Sequence, residues 1–526
     1  MGTWINIGEA LTEGAYFYPD KIAAKDSNRS MTYQELNMRS VRLANALLGS
    51  GLKKGDKFAV IALNCVEWME IYGAAAKAGL VVVPIMFRLA PGEYGYIVED
   101  SEAKAFILGK EFLEGVSSVR DTLGNVSSAN YILLGSDKVP EGYQDYEAFL
   151  ENGSSDEPEV DVDNEDIWLL SYTSGTTGKP KGTLRSQQSY INLFLVLTAS
   201  MKFDKSDTGL MVMPMCHFNS IFFSFTFIYS YGSVVVYDRM SFDAEDFLRI
   251  IAKEKITFTS LIPTHYTLIL DLSDEIKKKY DVSCIRRLMC SSAPARRETK
   301  KGIMEYFQNS SLYEGYGSTE GGMGTLLHPE DQLRKLAAIG RETLGMARIK
   351  LLDEDGKEVP VGEVGELYTK GPTVFSGYWK MPEETKKAFR GEYFSAGDVG
   401  RKDEDGFYYL VDRKKNMIIT GGENVYPSEV ENVIASRSDV KDVAVIGVPD
   451  LKWGEAIKAI IILKDGVHES EDLKEDIVNY CKGKIAGFKK PKSVDFIREE
   501  EMPRTATGKI LHRVLRDRCG KWSEEE

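Results

Sequence analysis

Residues 169–182 read LLSYTSGTTGKPKG, in which an apolar strand runs into hydroxyl, glycine and lysine residues. Backbone N–H groups, Ser and Thr hydroxyls and ammonium groups all bind phosphate oxygens, and glycine lets the backbone approach them closely. The stretch therefore predicts a polyphosphate site that follows a buried strand of an α/β sheet. The alternative is a surface turn that is merely rich in turn-forming residues.

This stretch does not fit the phosphate loop of ordinary P-loop ATPases. That loop has four residues between its glycines and a hydroxyl residue after its lysine. Here Gly175 and Gly178 enclose only two residues, and Lys179 is followed by Pro180. An ordinary P-loop ATPase is therefore disfavoured.

Outward from this stretch, apolar runs alternate with helical patterns. Residues 57–63 read as a strand, 68–78 as a helix and 81–85 as the next strand, and further strands are predicted at 105–108, 132–134, 168–172, 209–213 and 258–261. Such alternation indicates α/β units with parallel strands. Residues 350–409 change to short strands separated by Asp-Gly and other glycine-rich turns, which indicates a β-rich subdomain.

We therefore predict the α/β class and two domains of unequal size. Residues 1–411 form a large N-terminal domain of α/β subdomains plus the β-rich subdomain. Residues 412–416 are a polar hinge, and residues 417–526 are a small mobile α+β domain with strands at 443–448 and 457–463.

Composition limits the classes of function. The formal net charge of -14 argues against a nucleic-acid partner. The six cysteines include no C-x-x-C pair, and the N-terminus does not resemble a signal peptide, so a cytoplasmic protein is expected. Residues 218–237 carry no charge, but their serines and the Tyr-Gly before a Val run predict a buried helix, a turn and a strand rather than a membrane span.

Residues 172–182 are similar to the phosphate loop of the adenylate-forming superfamily, which contains acyl-CoA synthetases, luciferases and peptide-synthetase adenylation domains. Further motifs of that superfamily follow in order: PMCH at 214–217, YGSTE at 316–320, GELY at 365–368, AGD at 396–398, DRKK at 412–415, GGEN at 421–424 and PRTATGK at 503–509. The chain most resembles the AMP-forming acyl-CoA synthetases. The resemblance implies that a carboxylate and ATP give acyl-AMP and pyrophosphate, after which coenzyme A gives acyl-CoA and AMP.

The resemblance also implies that the N-terminal domain, residues 1–411, binds ATP and the acyl group, and that it contains a nucleotide site. Thr173, Ser174, Thr176 and Lys181 would hold the phosphates, and Thr319 would touch the α-phosphate. Asp398 would bind the ribose, Arg413 would contact the ribose or a phosphate, and Tyr316 would stack on adenine. Glu320 and Thr176 would ligate Mg²⁺. The remaining nucleotide contacts implied are Gly175, Thr177, Gly178, Glu314, Gly315 and Gly317. Glu320 as a capping or solvated acid, Arg413 as an exposed hinge charge and Tyr316 as a core residue are the alternatives. Ala396 stands where the family usually has threonine.

Other implied residues concern the reaction and coenzyme A. Lys509 would bridge the carboxylate and the α-phosphate, and His217 would lie near the acyl carboxylate and the thioester path. Lys415 would lie at the hinge, and Gly421, Gly422 and Glu423 would border the pantetheine arm. The alternatives are a solvated lysine, a core histidine and a plain turn.

The family's acyl pocket would here contain Phe218, Phe222 and Phe225, which share one helical face. Bulky rings favour a short-to-medium, branched, cyclic or aromatic acid, although the same face could be core. Amino-acid-activating relatives usually carry aspartate where this chain has Asn219. An acyl-adenylate donor to a carrier protein, a luciferase-like oxygenase and a nucleotide-sensing protein are the other functions considered, and the oligomeric state is left open, with a homodimer among the alternatives.

Overall fold

The computed structural model describes residues 6–173, 180–291, 295, 297–343, 345, 347–420, 423–450, 453–505 and 508–519. The side chains of Arg413, Lys415 and Asn424 lie outside this description. The helices are α1 (Ile7–Phe17), α2 (Tyr33–Gly49), α3 (Glu67–Ala78), α4 (Pro91–Asp100), α5 (Leu113–Val119), α6 (Tyr146–Glu151), α7 (Gln187–Met201), α8 (Phe218–Tyr229), α9 (Ala244–Glu254), α10 (Pro263–Leu270), α11 (Asp274–Lys279), α12 (Arg297–Tyr306), α13 (Pro382–Ala388), α14 (Pro427–Ala435), α15 (Glu471–Tyr480) and α16 (His512–Cys519).

Short strands alternate with these helices. The first fourteen are β1 (Ile22–Lys25), β2 (Ser30–Thr32), β3 (Lys57–Ile61), β4 (Val81–Pro84), β5 (Ala103–Gly109), β6 (Tyr131–Leu134), β7 (Gln144–Asp145), β8 (Ile167–Thr173), β9 (Lys181–Ser186), β10 (Thr208–Met211), β11 (Ser233–Val236), β12 (Phe258–Leu261), β13 (Arg287–Cys290) and β14 (Ser311–Ser318). The others are β15 (Gly322–Leu327), β16 (Ala338–Glu342), β17 (Arg348–Leu352), β18 (Val364–Lys370), β19 (Gly377–Tyr378), β20 (Phe389–Arg390), β21 (Tyr393–Phe394), β22 (Asp398–Lys402), β23 (Tyr408–Arg413), β24 (Ile418–Thr420), β25 (Glu423–Val425), β26 (Val440–Asp450), β27 (Gly454–Leu463) and β28 (Ser493–Phe496).

The chain divides into two compact units, residues 1–349 with 369–394 and residues 350–368 with 395–526. The first unit contains two sheets. One has the order β19-β9-β8-β4-β3-β5-β6-β7, and the other includes β2-β1-β11-β10-β12-β13-β14-β15-β16. In both sheets the central strands are parallel, and antiparallel pairs lie towards the ends of the sheet. Because parallel sheets are covered on both faces, the apolar runs of the central strands are buried on both sides.

The second unit contains the antiparallel strands β18, β22 and β23 and a five-stranded sheet built from β24 to β28. The sheet is buried on both faces. One face packs against α14 and α15 through residues such as Val430 and Ile477, and the other packs against α16 through Leu515. The predicted limits of the two domains and the hinge at 412–416 stay predictions.

The alternation of strands and helices predicted from the sequence is confirmed. β12 has the predicted bounds, β3 and β4 begin where predicted, and α3 begins one residue before the predicted helix. Residues 218–237 form the predicted helix and strand, α8 and β11. Within the part of the chain that is described, no helix is both long and apolar enough to cross a bilayer.

Candidate active site

The glycine-rich stretch begins and ends on one antiparallel strand pair. Thr173 closes β8, Lys181 opens β9, and the two residues lie opposite each other in the register. Both ends of the stretch are therefore held side by side on a sheet with a buried core. The predictions for Ser174, Gly175, Thr176, Thr177 and Gly178 fall outside the described residues.

The turn between β14 and β15 carries Thr319 and Glu320, and it is fastened from three directions. The Thr173 hydroxyl donates to Glu320 Oε1 at 3.0 Å, and Arg185 Nη1 donates to the Thr319 carbonyl at 2.7 Å. The backbone N–H of Phe375 donates to the Glu320 carbonyl at 2.8 Å. These bonds bring together residues from three distant parts of the sequence, and they hold the predicted α-phosphate and metal residues beside the end of β8.

The glycines of β14 allow a close backbone approach. A Cβ atom at Gly317 would lie 2.2 Å from the carbonyl oxygen of Gly322, so only glycine fits there. Tyr316, between Gly315 and Gly317, is half-buried, and its ring lies beside Gly324.

Glu314 lies at the buried part of β14, and its carboxylate is paired with Lys300 of α12. Both side chains are nearly inaccessible to solvent, with Lys300 1% exposed and Glu314 8% exposed. Burial raises the pKa of Glu314, and the nearby Lys300 ammonium opposes that rise. No sequence pattern marked Lys300, because the pair joins residues on different elements.

Lys181 of the glycine-rich stretch is paired with an acid of α13. Its Nζ lies 2.9 Å from Glu384 Oε2 and 5.2 Å from the centre of the Tyr378 ring. Lys181 and Lys387 together lower the pKa of Glu384 to about 2. Glu384 therefore pairs with the same ammonium group that we predicted to bind phosphate.

Helix α8 follows His217, which is its N-cap residue, and places the predicted acyl-pocket rings in an aromatic cluster. Phe218 is half-buried and lies 5.7 Å from Tyr190 and 4.9 Å from Phe222, measured between ring centres. Phe225 is fully buried and its ring centre lies 5.1 Å from that of Trp168. The contacts of Phe225 are those of a core residue, whereas Phe218 keeps an accessible face. The pocket assignment of Phe218, Phe222 and Phe225 stays a prediction.

Asn219, at the start of α8, is hydrogen-bonded to two serine hydroxyls. Its Nδ2 donates to Ser260 Oγ at 3.0 Å and to Ser291 Oγ at 3.1 Å. Ser260 belongs to β12, and Ser291 follows β13. The amide therefore takes the place of a charged aspartate without leaving a buried charge to be neutralised.

His217 is held in a neutral form by burial. Burial lowers its pKa to about 4, and its Nδ1 has no hydrogen-bond partner among the residues described. At neutral pH the side chain is therefore an uncharged donor or acceptor, not a cation.

A pH dependence of stability follows from this low pKa. Between about pH 6.5 and 4 the unfolded chain binds a proton at this histidine that the folded chain does not, so the unfolding free energy should fall as the pH is lowered. We expect His217→Asn to reduce the slope of the unfolding free energy against pH, by an amount that corresponds to at most about one bound proton per molecule. Urea denaturation at several pH values tests this, with the exposed His468→Asn as control. An unchanged slope in the His217 variant would contradict it.

In the second unit, two residues predicted to bind ribose lie opposite each other. Asp398 opens β22, Arg413 closes β23, and they are register partners in this antiparallel pair. Asp398 is 7% exposed. The antiparallel pairing of these consecutive strands thus places the two residues side by side. The side chain of Arg413 lies outside the description.

The predicted hinge segment is tied to the helix that follows it. Asp412 accepts hydrogen bonds from the Ser428 N–H at 3.0 Å and from Asn416 Nδ2 at 3.3 Å, and Lys414 Nζ lies 3.0 Å from Glu366 Oε2. Glu423 is exposed at the start of β25. Gly421, Gly422 and the side chain of Lys415 fall outside the described part of the chain.

Lys509 is exposed, and its backbone is hydrogen-bonded to Thr505. Its N–H donates to Thr505 Oγ1 at 3.1 Å, and its carbonyl accepts from the Thr505 N–H at 2.7 Å. Both of these hydrogen bonds are made by the backbone of Lys509 and not by its ammonium group.

Sequence patterns missed three charged residues near the predicted site: Arg185, Lys300 and Glu384. One sequence signal could have marked Arg185: it is a charged residue within a short strand whose other residues are mostly buried. Lys300 and Glu384 gave none, because helices with exposed faces routinely carry such residues.

Comparisons with known proteins agree with this arrangement. The AMP-binding enzyme family matches residues 11–379, and the AMP-binding enzyme C-terminal domain matches residues 429–509. The long-chain-fatty-acid–CoA ligase FadD13 of Mycobacterium tuberculosis is 34% identical over 521 residues, covering 97% of this chain and 98% of its own. A feruloyl-CoA synthase of an Amycolatopsis species is 32% identical, covering 98% of this chain and 99% of its own. The structure of the anthranilate CoA ligase AuaEII with anthranoyl-AMP matches with a TM-score of 0.88 at 29% identity, over 99% of this chain and 98% of its own.

Proposed function

This chain belongs to the AMP-binding enzyme family, and on that premise we propose that it joins a compact, branched, cyclic or aromatic carboxylic acid to coenzyme A. The predicted resemblance to AMP-forming acyl-CoA synthetases is confirmed. The chain is an acid–thiol ligase: a carboxylate oxygen attacks the α-phosphorus of ATP and pyrophosphate leaves. The sulfur of coenzyme A then attacks the acyl carbonyl, its proton is lost, and AMP leaves.

One observation supports the location of adenylate formation above the others: the Thr319–Glu320 turn is bonded to Thr173 at the end of the phosphate-binding strand. A carboxylate can attack the α-phosphorus only if the phosphates are held in one orientation, and a fixed turn beside the phosphate-binding stretch provides that orientation. Thr173, Lys181 and Thr319 would hold the phosphates there. Asp398 and Arg413 would bind the ribose, and Tyr316 would stack on the adenine.

Magnesium fits the oxygen atoms at this turn. The described residues contain no group of three or more Asp, Glu, His or Cys side chains that could enclose a metal by themselves. Mg²⁺ commonly uses one or two carboxylates together with phosphate oxygens and water, so Glu320 alone, next to the Thr173 hydroxyl, suffices from the protein side. When bound, the ion would neutralise phosphate charge, and Thr176 is the second ligand we propose.

The acyl class is inferred from α8. Phe218 presents a partly exposed ring, backed by Phe222 and Tyr190, and rings of this size shorten a pocket that would otherwise admit a long chain. The two relatives named above are a long-chain-fatty-acid ligase and a feruloyl-CoA synthase, so their names do not by themselves decide the acid. The aromatic wall favours the compact or aromatic class.

For the second half-reaction we propose the residues that the motifs imply. Gly421, Gly422 and Glu423 would border the pantetheine arm, and residues 412–416 with Lys415 would act as the hinge. Mutation of Gly421 to a bulky residue should slow thioester formation from acyl-AMP and leave adenylate formation intact. Slowing of both steps to the same extent would argue against this assignment.

The test of the proposed function is a panel of carboxylic acids incubated with ATP, Mg²⁺ and coenzyme A, with AMP, pyrophosphate and acyl-CoA measured by mass spectrometry. We expect AMP and acyl-CoA in equal amounts, with aromatic and branched acids preferred over long straight chains. Release of ADP instead of AMP would overturn the proposal. Accumulation of acyl-AMP without acyl-CoA would favour donation to a carrier protein instead.

We also propose a cytoplasmic location. All six cysteines are free in the structure, which suits a reducing compartment, and the reaction uses ATP and coenzyme A. Cell fractionation tests this, and recovery of the protein outside the cytoplasm would contradict it.

A prediction for ATP binding follows from the Lys181–Glu384 pair. If Lys181 binds phosphate, it must first leave Glu384, so removal of that negative charge should ease nucleotide binding. We expect Glu384→Gln to lower the KM for ATP about two- to fivefold, the scale of a partly exposed ion pair. Since the pKa of Glu384 is about 2, its charge and the size of the effect should not vary across neutral pH.

The matched control is Glu383→Gln, because Glu383 is the exposed preceding residue of the same helix. The KM for ATP is measured for both variants at low and high salt, and the Glu384 effect should shrink as salt rises. An unchanged or higher KM in Glu384→Gln, together with lower thermal stability, would instead assign Lys181 a structural role.

A further inference from the structure

Arg185 is a fully buried cation next to the proposed site of adenylate formation. Its side chain is 0% exposed, and it lies in β9, the strand that Lys181 opens. Side chains alternate between the two faces of a strand, so Lys181, Thr183 and Arg185 share one face. One rigid strand thus connects a predicted phosphate ligand to this arginine.

The guanidinium is held by one hydrogen bond and two rings. Nη1 donates to the Thr319 carbonyl at 2.7 Å, and the guanidinium carbon lies 5.0 Å from the ring centres of both Tyr190 and Phe218. Nε and Nη2 have no hydrogen-bond partner among the described residues. The arginine therefore contacts both the turn that carries Glu320 and the aromatic start of α8.

Such an arginine is costly for the fold. A buried charge loses its hydration, and apolar residues of similar volume often replace buried ionic groups without loss of stability. Burial lowers the pKa of Arg185, yet a guanidinium stays charged at every physiological pH. No carboxylate of the described residues lies within ion-pair distance of it, and Glu320 acts on it only through space. Packing alone does not account for a cation here.

Resting on the proposed function, we propose that Arg185 is a positioning residue for adenylate formation, which fixes the Thr319–Glu320 turn against the phosphate-binding strand so that the turn meets the magnesium nucleotide in one orientation. The hydrogen bond to Thr319 supplies the position. The Tyr190 and Phe218 rings keep the guanidinium plane from rotating away. Arg185 does not touch the substrate in this role.

The test compares Arg185→Met, which keeps the side-chain length but removes the charge and the donors, with Arg185→Lys, which keeps the charge. The first measurement is equilibrium binding of ATP over a series of Mg²⁺ concentrations. We expect Arg185→Met to weaken Mg²⁺-dependent ATP binding about tenfold and to slow single-turnover acyl-AMP formation about 10²-fold, the scale for loss of a preorganised contact. Arg185→Lys should lie between this variant and the wild type.

A second measurement separates positioning from general damage. Thioester formation from preformed acyl-AMP should stay within about twofold of the wild-type rate, because that step no longer needs the ATP phosphates. The matched control is Arg39→Met in the same unit. Arg39 is largely buried and bonded to Glu70 at 2.9 Å and to Glu147 at 2.8 Å, and none of these three residues is assigned to the site. The Arg39→Met variant should have lower thermal stability but an unchanged Mg²⁺ dependence of ATP binding.

Wild-type Mg²⁺ dependence and wild-type adenylation in a folded Arg185→Met would overturn the inference, as would equal slowing of both half-reactions. If Arg185→Met does not fold, Arg185→Lys decides: weakened Mg²⁺-dependent binding supports the role, and unchanged binding overturns it. These outcomes differ from failure of the proposed function, in which the wild-type protein itself releases no AMP with any acid.

Discussion

Lys509→Ala should abolish most adenylate formation and leave thioester formation from preformed acyl-AMP nearly unchanged. In the first half-reaction negative charge accumulates where the carboxylate meets the α-phosphate, and a positioned ammonium stabilises it by about 10²- to 10³-fold in rate. Lys509 is exposed, and its two hydrogen bonds to Thr505 are made by its backbone, so Lys509→Ala keeps both of them. Single-turnover acyl-AMP formation and coupled thioester formation measure the two steps separately.

The control is Lys441→Ala, because Lys441 is an exposed lysine of the same unit that pairs with Glu499. Both half-reactions should keep their wild-type rates in this variant. Equal loss of the two activities in Lys509→Ala would contradict the proposed role, since it would mean that the lysine acts on overall structure and not on the first step.

Lys300→Met should destabilise the first unit by about 3–5 kcal/mol, the cost of leaving a buried charge without its partner. Glu314 would keep its carboxylate in a site that excludes water. Urea denaturation measures the loss. Because burial raises the pKa of Glu314, the folded state binds this proton more readily than the unfolded state, so the loss should shrink as the pH falls from about 7 towards 5.

The double variant Lys300→Met with Glu314→Gln removes both charges, and we expect it to recover most of the lost stability. A loss below about 1 kcal/mol in the single variant, the range of exposed ion pairs, would mean that water reaches the pair. Since Glu314 is also a predicted nucleotide contact, ATP binding of the double variant shows whether its charge matters for more than folding.

Much of the fold could be predicted because its signals are local. The apolar runs that became β3, β4 and β12 and the helical pattern that became α3 are short stretches whose periodicity reflects their own burial. The same holds for residues 218–237, where Tyr-Gly and the Val run mark the change from α8 to β11.

The candidate site also contains residues that local motifs identify and residues that only packing brings together. The ordered motifs identified Thr173, Lys181, Thr319, Glu320 and Asp398 because each lies in a short pattern of its own. By itself the sequence determined the α/β class, the adenylate-forming chemistry and these candidate residues. Only the tertiary structure decided which distant partners these residues have. Arg185 donates to the Thr319 carbonyl, Lys300 pairs with Glu314, and Glu384 pairs with Lys181. Those pairs join residues 14 to 203 positions apart, and chain-distant contacts depend on how sheets and helices pack, which local patterns do not encode.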